Sequence, residues 1–355
     1  ACLSWSPACS CYHEAEMSVL RRFLSSSARS VPAFVFDIDG VLIRGKQRIA
    51  AGEEALRALL GSDGRSFKFP VMFLTNGGGL TEEEKAAEVS EKCGVHVLPE
   101  QVVLSHTPMR QLARKYNDRK DSVVVCVGRR KCVGVARQYG FERVMAIEDY
   151  SCHDPVVTPN TVMECGSEPD DPSMTSMNVA AVLVMHDSRN WGRDIQLICD
   201  IVGSDGSPER SPTNEQVVSL YSSNPDFLYS NEHPLPRFAQ GAFLTALEAV
   251  FQRRHGRRIK YRQFGKPHKS QYEFIEPMLT KHAKSLGFKN IDSIYAIGDN
   301  PEADVRGANA AGGKWVSVLV RTGCFTGADN DRNDPASIVV EDAHEAVKTA
   351  LDRHA

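Results

Sequence analysis

Two carboxylates stand two residues apart at the end of an apolar run, in Phe34-Val35-Phe36-Asp37-Ile38-Asp39-Gly40-Val41. Such a run reads as a buried strand whose polar residues appear only at its C-terminal end. Carboxylates this close repel one another, so the arrangement needs a cation or a shared proton to compensate. Taken alone, the stretch is equally a strand end with an Asp-Gly turn. Three further strand ends carry polar signals. They are Thr75-Asn76, Lys266, and the group Asp299, Asn300 and Asp304. Parallel strands put their C-terminal ends on one side of a sheet, the side where open α/β sheets bind ligands. Acids, a hydroxyl and an ammonium along that edge suit a magnesium-assisted reaction at phosphorus. Mg²⁺ takes hard oxygen ligands, and a phosphoryl group in transit needs donors and cations around its oxygens.

The elements that must position these residues follow from hydrophobic periodicity. Residues 41–49 suggest a short hairpin and 52–60 a helix, with Ala55, Leu56 and Leu59 on one face. A second buried strand covers 69–75. Thr81 and Glu84 have the spacing of a capping box that opens a helix through about residue 92. A short strand at 102–105 follows. From 106 the pattern restarts, with strands at 122–127, 179–185 and 216–222. Helices end near Tyr139 and cover 194–202 and 241–253. Residues 164–173 and 203–212 read as loops. The chain then returns to strands at 259–264, 293–297 and 315–320, with helices running to about 285 and over 343–353. This alternation predicts an α/β fold built on parallel sheet.

The 355 residues suffice for two ordinary domains, and a net charge of −3 suggests neither a nucleic-acid-binding field nor an acidic tail. No apolar run is long enough to span a bilayer. The ten cysteines are scattered without paired C-x-x-C spacing, which argues against zinc and for reduced thiols. Residues 17–30 carry three arginines, five serines and no acid, the composition of a mitochondrial transit peptide. Met17 would be a natural start, with 1–16 lying upstream; the alternative is an inconsequential tail and a cytoplasmic protein.

The ordered motifs Asp-x-Asp-Gly-Val, Thr-Asn, Lys-Pro and Gly-Asp-x₄-Asp resemble those of the haloacid dehalogenase superfamily, across nearly all of 31–345. About 190 residues separate Thr75 from Lys266, far more than one crossover needs. The resemblance therefore implies a Rossmann-like parallel-sheet core with an inserted α/β type-two cap, class IIA or NagD-like. Its parts would be an N-terminal extension (1–30), core (31–105), cap (106–258) and core again (259–355). Thr-Asn-Gly-Gly-Gly, His186-Asp187 and Pro236-Arg237-Phe238-Ala239-Gln240-Gly241 resemble a eukaryotic branch of that group.

Roles follow from the same resemblance. Asp37 is implied as nucleophile, forming an aspartyl-phosphate. Asp39 is implied as general acid and then base. Thr75 and the backbone near Asn76 would hold phosphoryl oxygens, with Lys266 offsetting charge. Asp37, the Asp39 carbonyl and Asp299 would bind Mg²⁺, supported by Asn300 and Asp304. Asp304 could instead cap the following helix. Asn224 and Asp226 would line a substrate crevice from the cap or form a plain Asn-Pro turn. His186 and His268 read as polar packing residues, and 253–258 as a solvated basic turn. Gly78-Gly79-Leu80 departs from the serine or arginine of related phosphatases, and Ala303 from a threonine.

Three functions are consistent with this reading. The first is a Mg²⁺-dependent phosphatase of a small phosphorylated metabolite. The second is a weakly active or inactive phospho-ligand or partner-binding protein. The third is a phosphatase of mitochondrial glycerophospholipid metabolism. A homodimer through the cap is a further expectation of the class.

Overall fold

The computed structural model describes residues 30–149, 155–159, 171–229, 231–233 and 235–355. Residues 17–29 of the expected import signal and 164–170 of the first expected loop lie outside the described residues. The chain divides into two compact units. One takes in the described residues up to 73 together with 87–101 and 272–355; the other takes in 74–86 and 102–271.

In the first unit the sheet runs in the order Ile338–Val340, Trp315–Val320, Asn290–Gly298, Ser30–Phe36, Val71–Leu74, and Leu74 opens the second unit. Each neighbouring pair is parallel. Ser30–Phe36 has a strand on either side, so it is buried from Val31 through Phe36. This is why its sequence is continuously apolar rather than alternating. Phe34 stacks on Tyr295 with ring centroids 5.8 Å apart and meets Phe69 edge-on. The helices Ala50–Ala58 and Ala343–Asp352 pack together in this unit.

The second unit has its own parallel sheet, in the order Arg262–Gln263, Ser219–Ser222, Asn178–Val184, Ser122–Val127, Val144–Ala146. Alternation along its strands fills both faces. Val123, Val125 and Val127 join one apolar cluster with Val182, Val184, Leu197 and Phe243. Val124 and Cys126 join the other, with Ala181, Leu183, Met185 and Phe264. A strand directs successive side chains to opposite faces, so a run of valines supplies both layers at once. The helix Gln240–His255 ends at Gly256 in the left-handed conformation. In its last turn Arg254 pairs with Asp200 at 2.7 Å, and just past it Arg257 lies over the Phe251 ring.

The α/β class read from the sequence is the class observed, and most expected elements are present. The strands Val144–Ala146 and Ile338–Val340 and the antiparallel hairpin Leu228–Tyr229/Arg237–Phe238 went unread. At two or three residues each they are too short to display a period. The expected strand at 259–264 contracts to Arg262–Gln263, because only those two residues pair with Tyr221 and Ser222.

Candidate functional site

The carboxylate cluster belongs to the first unit. Phe36 pairs with Ile297 in the parallel ladder, and the Asp37 amide donates to the Ile297 carbonyl at 2.8 Å. Asp37 and Asp299 therefore leave adjacent strands at the same end. Asp304 comes from the short helical turn Pro301–Val305 that follows. Asp37, Asp299 and Asp304 are all buried, and each brings one oxygen within 4.8 Å of the others.

Backbone donors set these carboxylates in place. The Cys324 amide donates to Asp299 Oδ2 at 2.6 Å, and the Asn300 amide to Asp304 Oδ2 at 3.1 Å. The Asn300 side chain accepts from the Glu302 amide at 3.0 Å, capping the turn that carries Asp304. Gly40 has φ +95, and a Cβ there would run into the Asp299 carboxylate. A glycine after Asp39 is thus needed twice, for backbone conformation and for space. Asp39 itself is exposed, on a backbone bridged to Ile43.

Three buried carboxylates at this spacing form a hard, all-oxygen donor set whose mutual repulsion a divalent cation would relieve, so the residues fit Mg²⁺. Asp304, expected in a supporting place, lies close enough to Asp37 and Asp299 that its carboxylate could share one ion with theirs.

Thr75, Asn76 and Lys266 belong to the second unit, and all three are buried. Asn76 and Lys266 are joined by two bonds of opposite sense. The Lys266 amide donates to Asn76 Oδ1 at 2.7 Å, and Asn76 Nδ2 donates to the Lys266 carbonyl at 2.9 Å. Asn76 Nδ2 also donates to Asp226 Oδ1 at 3.0 Å. Both amide hydrogens and the carbonyl of Asn76 are thereby engaged, so its side chain acts as a brace. The Lys266 ammonium donates to the Leu74 carbonyl at 2.9 Å, and the Thr75 hydroxyl accepts from the Gly77 amide at 2.9 Å.

Asn224 and Asp226 have distinct places. Asn224 Oδ1 accepts from the Asp226 amide at 2.7 Å, an Asx turn, while the Asp226 carboxylate reaches Asn76. Gln240, named in the sequence only as part of the Pro236–Gly241 motif and given no role there, organises this turn. Its Oε1 accepts from the Ser222 hydroxyl and from the Ser223 and Asn224 amides. A glutamine at the first helical position was the available signal, but its partners lie 16 to 18 residues away in sequence.

Comparison with known proteins shows the family. A model described as haloacid dehalogenase-like hydrolase matches residues 34–142, and a HAD-hydrolase-like model matches 263–346. A mitochondrial hydrolase of Saccharomyces cerevisiae is 32% identical, the match covering 94% of this chain and 99% of the relative. A Schizosaccharomyces pombe protein named as a fusion of cardiolipin synthase (CMP-forming) and mitochondrial hydrolase is 35% identical; the match covers 95% of this chain and 56% of the fusion. Among solved structures, a glycerol phosphate phosphatase of Mycobacterium tuberculosis in complex with magnesium superposes with a TM-score of 0.54 at 17% identity. That alignment covers 90% of this chain and 77% of the other, a likeness of fold.

Proposed function

The chain belongs to the haloacid dehalogenase-like hydrolase family, and from that membership we propose that it is a Mg²⁺-dependent phosphomonoesterase of the NagD-like capped group. The observation that carries the reading is the buried cluster of Asp37, Asp299 and Asp304, with one oxygen of each within 4.8 Å of the others. Asp37, the Asp39 carbonyl, Asp299 and Asp304 would hold the ion. Bound Mg²⁺ would neutralise phosphoryl oxygens and restrain the nucleophile.

The protein's own groups do the rest. Asp37 attacks phosphorus, the bond to the leaving oxygen breaks, and Asp39 protonates that oxygen. Asp39, now ionised, takes a proton from the water that hydrolyses the aspartyl-phosphate. Its exposure suits a group that exchanges protons with substrate and solvent. Thr75 and the adjoining backbone would hold phosphoryl oxygens, and Lys266 would offset negative charge on the transferring group. Residues 106–258 act as the cap that selects the substrate, and the mitochondrion is the working compartment.

Phosphate release from a panel of phosphorylated metabolites, with Mg²⁺ and with EDTA, tests this. Release that needs Mg²⁺ and vanishes in Asp37→Asn supports the reading. A folded, Mg²⁺-binding protein that binds phosphorylated ligands without turning any over would replace it with the binding-protein reading.

One observation favours a lipid phosphate among the substrates. Phe227, Leu228, Tyr229, Leu235 and Phe238 are exposed in the same unit as Thr75, Asn76 and Lys266. Phe227 and Phe238 meet edge to face at 5.8 Å, and Phe227 directly follows the Asp226 that bonds to Asn76. Exposed apolar side chains grouped in this way mark a binding surface. The naming of a relative as a fusion with cardiolipin synthase points the same way. Faster hydrolysis of long-chain than of short-chain phosphomonoesters, lost in Phe238→Ser, would favour this class; indifference to chain length would end it.

A further inference from the structure

The loop after Thr75 carries three consecutive glycines, Gly77, Gly78 and Gly79; the Thr75 hydroxyl holds the Gly77 amide, and Gly78 and Gly79 have no side chain to fix their shape. Gly79 has φ +75, and a Cβ there would sit 2.5 Å from the His186 ring. Its amide donates to His106 Nε2 at 3.1 Å. His106 is fully buried, and its Nδ1 lies 2.8 Å from the Tyr139 hydroxyl. Tyr139 in turn donates to Glu82 Oε1 at 2.8 Å. Glu82 is the first residue of the helix that follows the loop, so the chain of bonds closes on itself.

The donors and acceptors settle the tautomer. A backbone amide can only donate, so Nε2 must be the bare nitrogen of a neutral ring. Nδ1 then carries the hydrogen and donates to the Tyr139 oxygen, whose own hydrogen goes to Glu82. Glu82 can accept because it is anchored as a carboxylate by two further donors, the Thr107 hydroxyl at 2.7 Å and Arg110 Nη2 at 2.6 Å. Every bond then has one donor and one acceptor, whereas a neutral ring with its hydrogen on Nε2 would face the Gly79 amide with two donors.

We propose that His106 is a positioning residue for the Thr75–Gly79 loop, held as its Nδ1–H tautomer by the Tyr139–Glu82 pair so that Nε2 locks the Gly79 amide. The inference rests on the reading of that loop as the phosphate-holding segment. Loops that hold phosphate work through preset backbone groups, and three glycines without an external brace would lose that presetting to entropy. The groups that face the ring leave it neutral. Burial first, and then the Arg110 charge, lower the His106 pKa to about 3. The pKa of His186, whose ring a Cβ on Gly79 would meet, is lowered to about 3 mainly by its own burial.

The test uses the full chain as wild type, His106→Leu, His106→Gln, Tyr139→Phe and Thr75→Ala. Hydrolysis of p-nitrophenyl phosphate and calorimetric binding of inorganic phosphate, both with Mg²⁺, are measured beside melting curves. His106→Leu is expected to raise KM and the phosphate Kd about tenfold, the equivalent of one lost buried hydrogen bond. His106→Gln, whose Oε1 can accept from the Gly79 amide, is expected to recover most of that loss, and Tyr139→Phe to fall between them. ¹⁵N NMR of the wild type is expected to show one histidine as the Nδ1–H tautomer from pH 5.5 to 8. The proposal is overturned if that histidine carries its hydrogen on Nε2, if Gln is no better than Leu, or if Leu folds with wild-type KM. Where Thr75→Ala leaves phosphate affinity unchanged, the phosphate reading of the loop fails and takes the proposal with it. Where Thr75→Ala weakens binding and the His106 variants do not, only the proposal fails.

Discussion

Asp304→Asn is expected to make the metal-free protein more stable and the Mg²⁺-bound protein less so. Each carboxylate of the trio has an oxygen within 4.8 Å of the other two. At an effective dielectric constant near 20, two unit charges at that distance repel by about 3.5 kcal/mol. Asp304 takes part in two such pairs. The Asn300 amide at Asp304 Oδ2, the Cys324 amide at Asp299 Oδ2 and the other partners of these acids offset much of this. A net relief of about 1–2 kcal/mol is therefore expected when one charge is removed, or a rise of about 2–4 °C in the midpoint. Asparagine keeps the shape, and its Oδ1 can still accept from the Asn300 amide, so little packing is lost. The Mg²⁺ arm moves the other way. Losing one carboxylate should raise the Mg²⁺ concentration needed for half-maximal stabilisation at least about tenfold. Melting curves of both proteins in EDTA and across a Mg²⁺ series measure both effects. A variant less stable than wild type in EDTA yet equally stabilised by Mg²⁺ would refute the reasoning, since Asp304 would then be a helix-turn cap rather than part of a cation-binding group.

Other expectations follow from the same structure. His106 and His186 are neutral in the folded state, with burial the main cause of pKa values near 3. The unfolded chain takes up these protons first, near pH 6.5, so the stability they support is complete above that pH and lost as pH falls toward 3. At pH 5 the loss is about 2 kcal/mol per histidine; equal urea midpoints at pH 7.5 and 5.0 would contradict this. Gly79→Ala forces a side chain into a left-handed backbone and against the His186 ring. It should destabilise the protein by about 1–3 kcal/mol and raise KM, as read by urea melts and phosphate release. Thr81→Ala removes the bond from the Glu84 amide to Thr81 Oγ1 at 3.1 Å, and urea melts should register about 1 kcal/mol.

Local physics governs what was legible in the residues. Thr81 and Glu84 lie three apart, and the expected capping box is present in both directions, the Thr81 amide donating to Glu84 Oε2 at 2.9 Å. The strand before Asp37 could be read because a strand flanked on both sides must be apolar throughout. Trp315–Val320 was read to the residue for the same reason. The short strand Val144–Ala146 was not, since three residues carry no period and its pairing with Val124–Cys126 is a property of the partner.

What the sequence determined by itself is the set of chemical groups and their places at strand ends. Asp37, Thr75 and Asp299 each follow an apolar run, and alternation and burial act over a few neighbouring residues. Only the tertiary structure decided how those groups are held. It brought Asp304 into the carboxylate trio, engaged every polar atom of the Asn76 amide, and set His106 and Tyr139 behind Gly79. The hydrogen bonds among those contacts join residues 27 to 190 positions apart. A hydrogen bond or an ion site is specified by distance and direction in space, and no local pattern in the chain encodes either.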